Sequence, residues 1–184
     1  MTPTAFVTWL YQFCTPRDYV SDSWRPWSVE IDGYRWAYAA SRFRFVLVPD
    51  VVGINEAREA ICLGVNGLVH RRGRRWPDVG LTALRRWCNC GPVRSDQSSD
   101  YAYGQIDGVI INRRLLHPSL CALQRAYGDE PITLDLANHD EALVVHGAGW
   151  YVGLMPVYRG LPEEDAKAPR FRLLSTPGGV SVAA

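Results

Sequence analysis

Two stretches of this chain carry the same succession of patterns, an amphipathic helix and a run of β-rich segments, and that repetition constrains the fold more than any single motif. In the first, Thr2-Pro3 supplies a cap followed by a proline at the first helical position, and Phe6, Trp9, Leu10 and Phe13 follow at helical spacing. The spacing predicts a helix near residues 3–14. WSVEID and YRWAYAAS then flank Asp32-Gly33, a strong hairpin signal, and FRFVLV runs on to Pro49. In the second, GQIDGVIIN reads as a strand and LLHPSLCALQRA as a helix. PITLDLA, EALVVHG and WYVGLMPV read as three strands turning at Asn138-His139-Asp140 and Gly147-Ala148-Gly149. A proline is tolerated only in a helix's first turn, so Pro118 predicts a helix start near His117 and a helix over 117–126. The halves share element order without visible sequence likeness, which suggests internal duplication.

Between the halves, residues 50–100 read as a connector. It holds a short helix candidate from Asn55 to Leu63 closed by Gly64, an arginine-rich stretch, a second helix candidate near Leu81 to Trp87, and the loop GPVRSDQSSD over 91–100. Residues 160–184, charged at first and then rich in small residues, read as a tail that is disordered or packs as an arm. The expected organisation is therefore one α+β domain over 1–159, two helices on antiparallel sheets, with a C-terminal tail. A length of 184 residues suits one hydrophobic core.

With 47% hydrophobic and 21% charged residues, the composition is globular and excludes the disordered class. MTPTAFVTWLYQFC lacks a basic n-region and a small-residue cleavage site, and no run reaches membrane-spanning length, so neither a secretory signal nor a membrane partner is expected. Cys14, Cys62, Cys88, Cys90 and Cys121 are odd in number and irregularly spaced, unlike a secreted disulfide framework. The expected location is the cytoplasm. A net charge of +1 excludes a bulk polycation, but His70 to Arg94 holds seven arginines against one acid, Asp78, and predicts a local basic face.

The second half resembles the repeating unit of bacterial and phage DNA sliding clamps. The stretches that carry the likeness are Ile110-Ile111-Asn112-Arg113-Arg114-Leu115-Leu116, leading into a helix, and Gly153-Leu154-Met155-Pro156-Val157-Tyr158-Arg159, ending a meander. Residues 3–48 fit the other half of such a module. The resemblance implies a pseudo-symmetric module with two helices on one face and sheets on the other, assembled into a ring that encircles duplex DNA without reading its bases. Clamps string three modules per chain, whereas this chain has room for one, so a closed ring of clamp-like geometry would take about six copies. It also continues past Arg159, where clamps end near their partner-peptide cleft.

In clamps, lysines and arginines on the ring-lining helices touch phosphates. The corresponding candidates are Arg113, Arg114 and Arg125, and a second group, Arg71, Arg72, Arg74 and Arg75, adjoins Trp76. Each group also reads as ordinary solvated charge. Cys62, His70, Cys88 and Cys90 offer four soft ligands for zinc, but the C-x-C spacing is not the usual knuckle and buried or free thiols account for them; no cofactor is expected. Asp135, His139, Asp140, Glu141 and His146 form the densest acid–histidine group, suited to general acid–base chemistry or, more simply, to turn formation. No nucleophile elbow, phosphate-cradling loop or HExxH helix is present. The expected function is a non-enzymatic, self-assembling, DNA-associated protein that tethers or regulates replication or repair proteins. The alternatives are a protein-interaction module with a clamp-like fold and a hydrolytic enzyme built on Asp135 to His146.

Overall fold

The structure, a computed structural model, describes residues 2–14, 25–41, 43–57, 59–70, 74–89, 102–136, 142–156, 170–176 and 179–183. The chain divides into two compact units, one of residues 1–72 with 148–153, the other of residues 73–147 with 154–184.

The first unit opens with α1 (Pro3–Tyr11). The Thr2 side chain accepts the Ala5 amide at 3.3 Å, and Pro3 stands where a missing N–H costs nothing. Phe6, Leu10 and Phe13 are buried, and the helix packs on β2. Strands β1 (Trp27–Ile31), β2 (Tyr34–Ala40) and β3 (Arg44–Pro49) form the expected antiparallel meander, and β9 (Trp150–Leu154) lies beside β3. Asp32 and Gly33 both take positive φ, 52° and 78°, as a two-residue turn between Ile31 and Tyr34 demands. A Cβ on Gly153 would collide with the ring of Phe45, so β9 and β3 require glycine there.

A helix was expected over 55–63, but α2 runs Glu59–Val69, through Gly64 and Gly67. Asn55 to Ala57 instead extends along β1, the Ser28 amide donating to the Asn55 carbonyl at 2.7 Å and the Ala57 amide to the Ser28 carbonyl at 2.8 Å. The helix continues past its glycines because Ile61, Val65 and Val69 recur at i, i+4, i+8 and pack on Val29, Ile31 and Leu47. That apolar stripe offsets the roughly 1 kcal/mol that each interior glycine costs.

The second unit contains β4 (Arg74–Gly80), α3 (Leu81–Asn89), β5 (Tyr103–Ile106), β6 (Val109–Asn112), α4 (Arg113–Tyr127), β7 (Pro131–Leu136), β8 (Leu143–Gly147), β10 (Arg170–Thr176) and β11 (Gly179–Ala183). β4, β7 and β8 pair antiparallel, and a smaller sheet runs β11-β10-β5-β6. Among the described pairings, β10 against β5 and the isolated bridge of Ser28 with Glu56 are parallel, and segregated helices with otherwise antiparallel sheets make the chain α+β.

Three expectations need correction. The helix expected near Leu81 to Trp87 is α3 and, with α2, brings the helices among the described residues to four, but the supposed connector that holds them also supplies β4, a paired strand of the sheet. GQIDGVIIN is a hairpin, not a single strand, because Asp107 and Gly108 take positive φ, 44° and 86°, and turn the chain. The fourth helix starts at Arg113 rather than His117, with Pro118 in its interior. Asn112 caps it by accepting the Arg114 amide at 3.1 Å, and the fully buried stripe Leu116, Leu120 and Leu123 holds the helix through the proline. In β4 the chain tolerates Pro77 because the ladder to β7 breaks register between Trp76 and Val79, a bulge in which Asp78 takes φ 59°. Residues 170–171 pair with 105–106, and Phe171 packs its ring 5.3 Å from that of Trp87.

The Gly153 contact gives a direct test of the first unit. Gly153→Ala is expected to lower stability by about 1–3 kcal/mol through overpacking, and Phe45→Leu in the same chain to recover part of the loss. Urea unfolding of the two single variants and the double variant would measure it, and additive losses would contradict the contact.

Candidate nucleic-acid interface

The expected arginines fall into physically different places. Arg113, first residue of α4, is 2% exposed. Its Nε donates to the Tyr103 carbonyl at 3.0 Å, and its Nη1 to the carbonyls of Trp87 at 3.1 Å and Cys88 at 3.3 Å. Those last two belong to the final turn of α3, whose carbonyls have no intrahelical donor and carry the negative end of the helix dipole. Arg113 is thus spent inside the fold. Its stem leaves no room opposite: a Cβ on Gly104 would stand 2.5 Å from Arg113 Cδ and 2.6 Å from Trp87 Cζ2.

Arg74 and Arg75 leave β4 toward acids. Arg74 Nη1 lies 2.7 Å from Asp107 Oδ2 in the β5–β6 turn, and Arg75 Nε lies 2.7 Å from Asp135 Oδ2 on β7, its direct partner across the ladder. Asp135 is 5% exposed, so Arg75 compensates an internal carboxylate. Arg71 and Arg72 lie outside the described residues.

Arg114 and Arg125 are the members of the set on an open surface. At 100° per residue, Arg113, Leu116, Ser119, Leu120 and Leu123 form the buried side of α4, while Arg114, Pro118, Cys121 and Arg125 cluster opposite, with His117 at their flank. From Arg114 to Arg125 this face is about 16 Å long. α3 packs against α4 and runs antiparallel to it. Near one end, Asp129 accepts the Thr82 amide at 3.1 Å and the Thr82 hydroxyl at 2.8 Å, and Gln124 Nε2 donates to that hydroxyl at 2.7 Å. Arg113 closes the other end.

The basic face expected over His70 to Arg94 includes Arg85 and Arg86 of α3, although neither is among the expected phosphate contacts. LTALRRWCN and RRLLHPSLCALQRAY contain no Asp or Glu, so Arg85 and Arg86 belong with Arg114 and Arg125 to an acid-free helix pair; Arg86 and Arg125 are exposed, Arg114 is half-buried, and the Nε of Arg85 is buried. None of these four side chains has an ion pair among the described residues. Burial, and then the Arg85 guanidinium, push the His117 pKa down, so the ring between the two helices stays neutral at neutral pH.

The other candidates separate. Cys62 and His70 belong to the first unit, Cys88 is buried in the second, and Cys90 lies outside the described residues. Among the described residues no three His, Cys, Asp or Glu converge as a metal site. Of the acid–histidine group, His139, Asp140 and Glu141 lie outside the described residues. Asp135 is held by Arg75, and burial and Arg75 lower the pKa of His146 against the opposing pull of Asp135. No described helix is long and apolar enough to cross a membrane.

Among solved structures, the DnaN sliding clamp of Bartonella birtlesii bound to griselimycin matches 90% of this chain at a TM-score of 0.59 and 11% identity. The fold is clamp-like. The DNA polymerase III β subunits of Thermotoga maritima and Pseudomonas aeruginosa match 85% and 86% of the chain, at TM-scores of 0.54 and 0.55 and identities of 11% and 10%. The chain spans just under two thirds of these clamp subunits, 66%, 64% and 66% of their lengths. No protein-family model and no curated protein matches the sequence.

The two kinds of arginine differ in what their loss does. Arg113→Gln is expected to cost about 3–5 kcal/mol, because it strips donors from buried carbonyls and removes a buried, compensated charge. Arg75→Gln is expected to cost about 2 kcal/mol, less because Arg75 is half in solvent, and Arg74→Gln under about 1 kcal/mol. Chemical denaturation would rank them, and an Arg113→Gln chain as stable as the parent would contradict the buried role.

Proposed function

We propose that this chain is a non-enzymatic, clamp-like protein that self-assembles around or on duplex DNA and tethers or regulates replication machinery. The observation that carries the reading is the acid-free α3–α4 pair, which sets Arg114 and Arg125 on the side of α4 opposite its buried stripe and adds Arg85 and Arg86 on α3, within a clamp-like fold. A guanidinium offers a planar fork of donors to phosphate oxygens, and a helix face with no recognition motif contacts the backbone without reading bases. Arg71 and Arg72 remain candidate phosphate contacts. Arg113 supports that surface from within by holding the end of α3, whereas Arg74 and Arg75 are engaged by Asp107 and Asp135. Self-association follows from the open sheet edges of a single module, which pair readily with another copy. The cytoplasm, where replication proteins work, is the proposed location.

A second reading, a protein-interaction module, draws on α1. Its sequence PTAFVTWLY carries no charge, and Tyr11 is 48% exposed, so this helix has nothing to offer a phosphate.

Fluorescence anisotropy with short duplexes tests the proposal. Affinity is expected to be indifferent to base sequence and to fall with salt. Changing Arg114 and Arg125 together to Gln should make the slope of log K against log salt shallower by about 2 per copy. Light scattering should show an oligomer at micromolar concentration. Absence of duplex binding at low salt from the assembled protein would overturn the DNA reading, and a strict monomer would transfer weight to the interaction module.

A further inference from the structure

The first unit holds a cavity of about 200 Å³ at the edge strand β1, and its polar lining follows from strand register. Ser28 and Glu30 are alternate residues of β1 and share one face. Arg35 on β2 stands directly opposite Glu30, and Glu56 is bridged in parallel to Ser28, so all four side chains belong to that face.

Two features of the lining point to a ligand. Ser28 is 3% exposed, and its hydroxyl accepts Arg35 Nε at 3.3 Å and Nη2 at 3.2 Å. With its lone pairs directed at Arg35, the hydroxyl proton finds no acceptor among the described residues, a costly state for a buried donor. The carboxylates of Glu30 and Glu56 likewise have no ion pair among the described residues. Arg35 does not neutralise them, because it turns to Ser28 and its charge is offset by Asp50, whose buried carboxylate lies 3.7 Å from Nη2.

We propose that this cavity binds a small molecule of the basic amino-acid class, with a carboxylate, an ammonium group and a second cationic group. The carboxylate accepts the Ser28 proton and an Arg35 N–H, both beside it on the same face. The two cationic groups complement Glu30 and Glu56, the uncompensated charges of the lining, which is why a ligand of net positive charge fits. The volume equals that of about seven waters and falls short of the roughly 300 Å³ that drug-sized ligands need, so nucleotides are excluded. The site lies wholly within the first unit and does not rest on the DNA reading.

Calorimetric titration of the full chain with L-lysine tests the site. One lysine is expected to bind per copy, L-glutamate not to bind, and cadaverine, which lacks the carboxylate, to bind about tenfold more weakly. Glu56→Gln changes an exposed side chain without partners and is expected to weaken lysine about tenfold, as is Ser28→Ala. Circular dichroism checks the fold of each, and Glu56→Gln keeps the test decisive should Ser28→Ala fold poorly. Half-buried Cys62 lines the same cavity, so lysine is expected to slow its alkylation by iodoacetamide in the parent and not in Glu56→Gln, as read by mass spectrometry of the Cys62 peptide. Absence of lysine binding at millimolar concentration, equal binding of L-glutamate, or a lysine affinity that neither variant changes overturns the site. Cadaverine bound as tightly as lysine overturns the amino-acid class.

Discussion

The second unit is organised around the way the ends of α4 hold the ends of α3. Arg113, at the start of α4, places a guanidinium on the last carbonyls of α3, and Asp129, just beyond the end of α4, places a carboxylate on the first turn of α3. Each charge faces the end of the α3 dipole that it complements. A nine-residue helix is marginal alone, so these two contacts, with Leu81, Leu84 and Trp87 in the core, account for its persistence. Arg113 also reaches the β5 carbonyl of Tyr103, and Gly104 beside it is small enough to let the stem pass. One side chain therefore ties two helices and a strand together.

That architecture decides where charge remains available. With Arg113 turned inward and Asp129 bound at the helix end, the outer surface of the pair presents arginines without acids. The chain as a whole is +1, so everything outside these helices is net negative. Three acids outside these helices are occupied locally. Asp135 and Asp107 hold Arg75 and Arg74, and Asp50 accepts the Gly53 amide at 2.8 Å to shape the turn after β3. Charge is separated by element rather than spread evenly, a distribution that gives a near-neutral protein a cationic face.

Most of the fold was legible where a local signal had one physical meaning. Asp32-Gly33 turned the first meander as read, and Thr2-Pro3 opened α1. Asp107-Gly108, the same turn signal, lay unread inside an apolar run taken as one strand. Pro118 was read as a helix start because its lost N–H is cheapest in the first turn, whereas Asn112 supplied the cap and the leucine stripe carried the helix through the proline. The site was less legible, because adjacent arginines in sequence diverge in space. Arg113 and Arg114 differ by 100° around the helix, enough to bury one and expose the other. Arg74 and Arg75 met acids from β5–β6 and β7, pairings that depend on strand register across 33 and 60 residues and leave no local trace. The acid-free composition of α3 was visible in the sequence, but its meaning required knowing that α3 lies on α4.

The number of arginines on the open face also sets how such a protein must work. Each phosphate contact contributes about 0.9 to the salt slope, so the few contacts of one copy give an affinity that salt readily erodes. Several copies joined together convert later contacts into intramolecular ones at high effective concentration, and weak faces then add to a firm hold. On the proposed reading, contacts that are individually weak and indifferent to sequence let an assembly keep its grip while single arginines exchange phosphates. On the proposed reading, assembly and DNA binding are one property: the face is too small to act alone, and repetition of the module makes up for it.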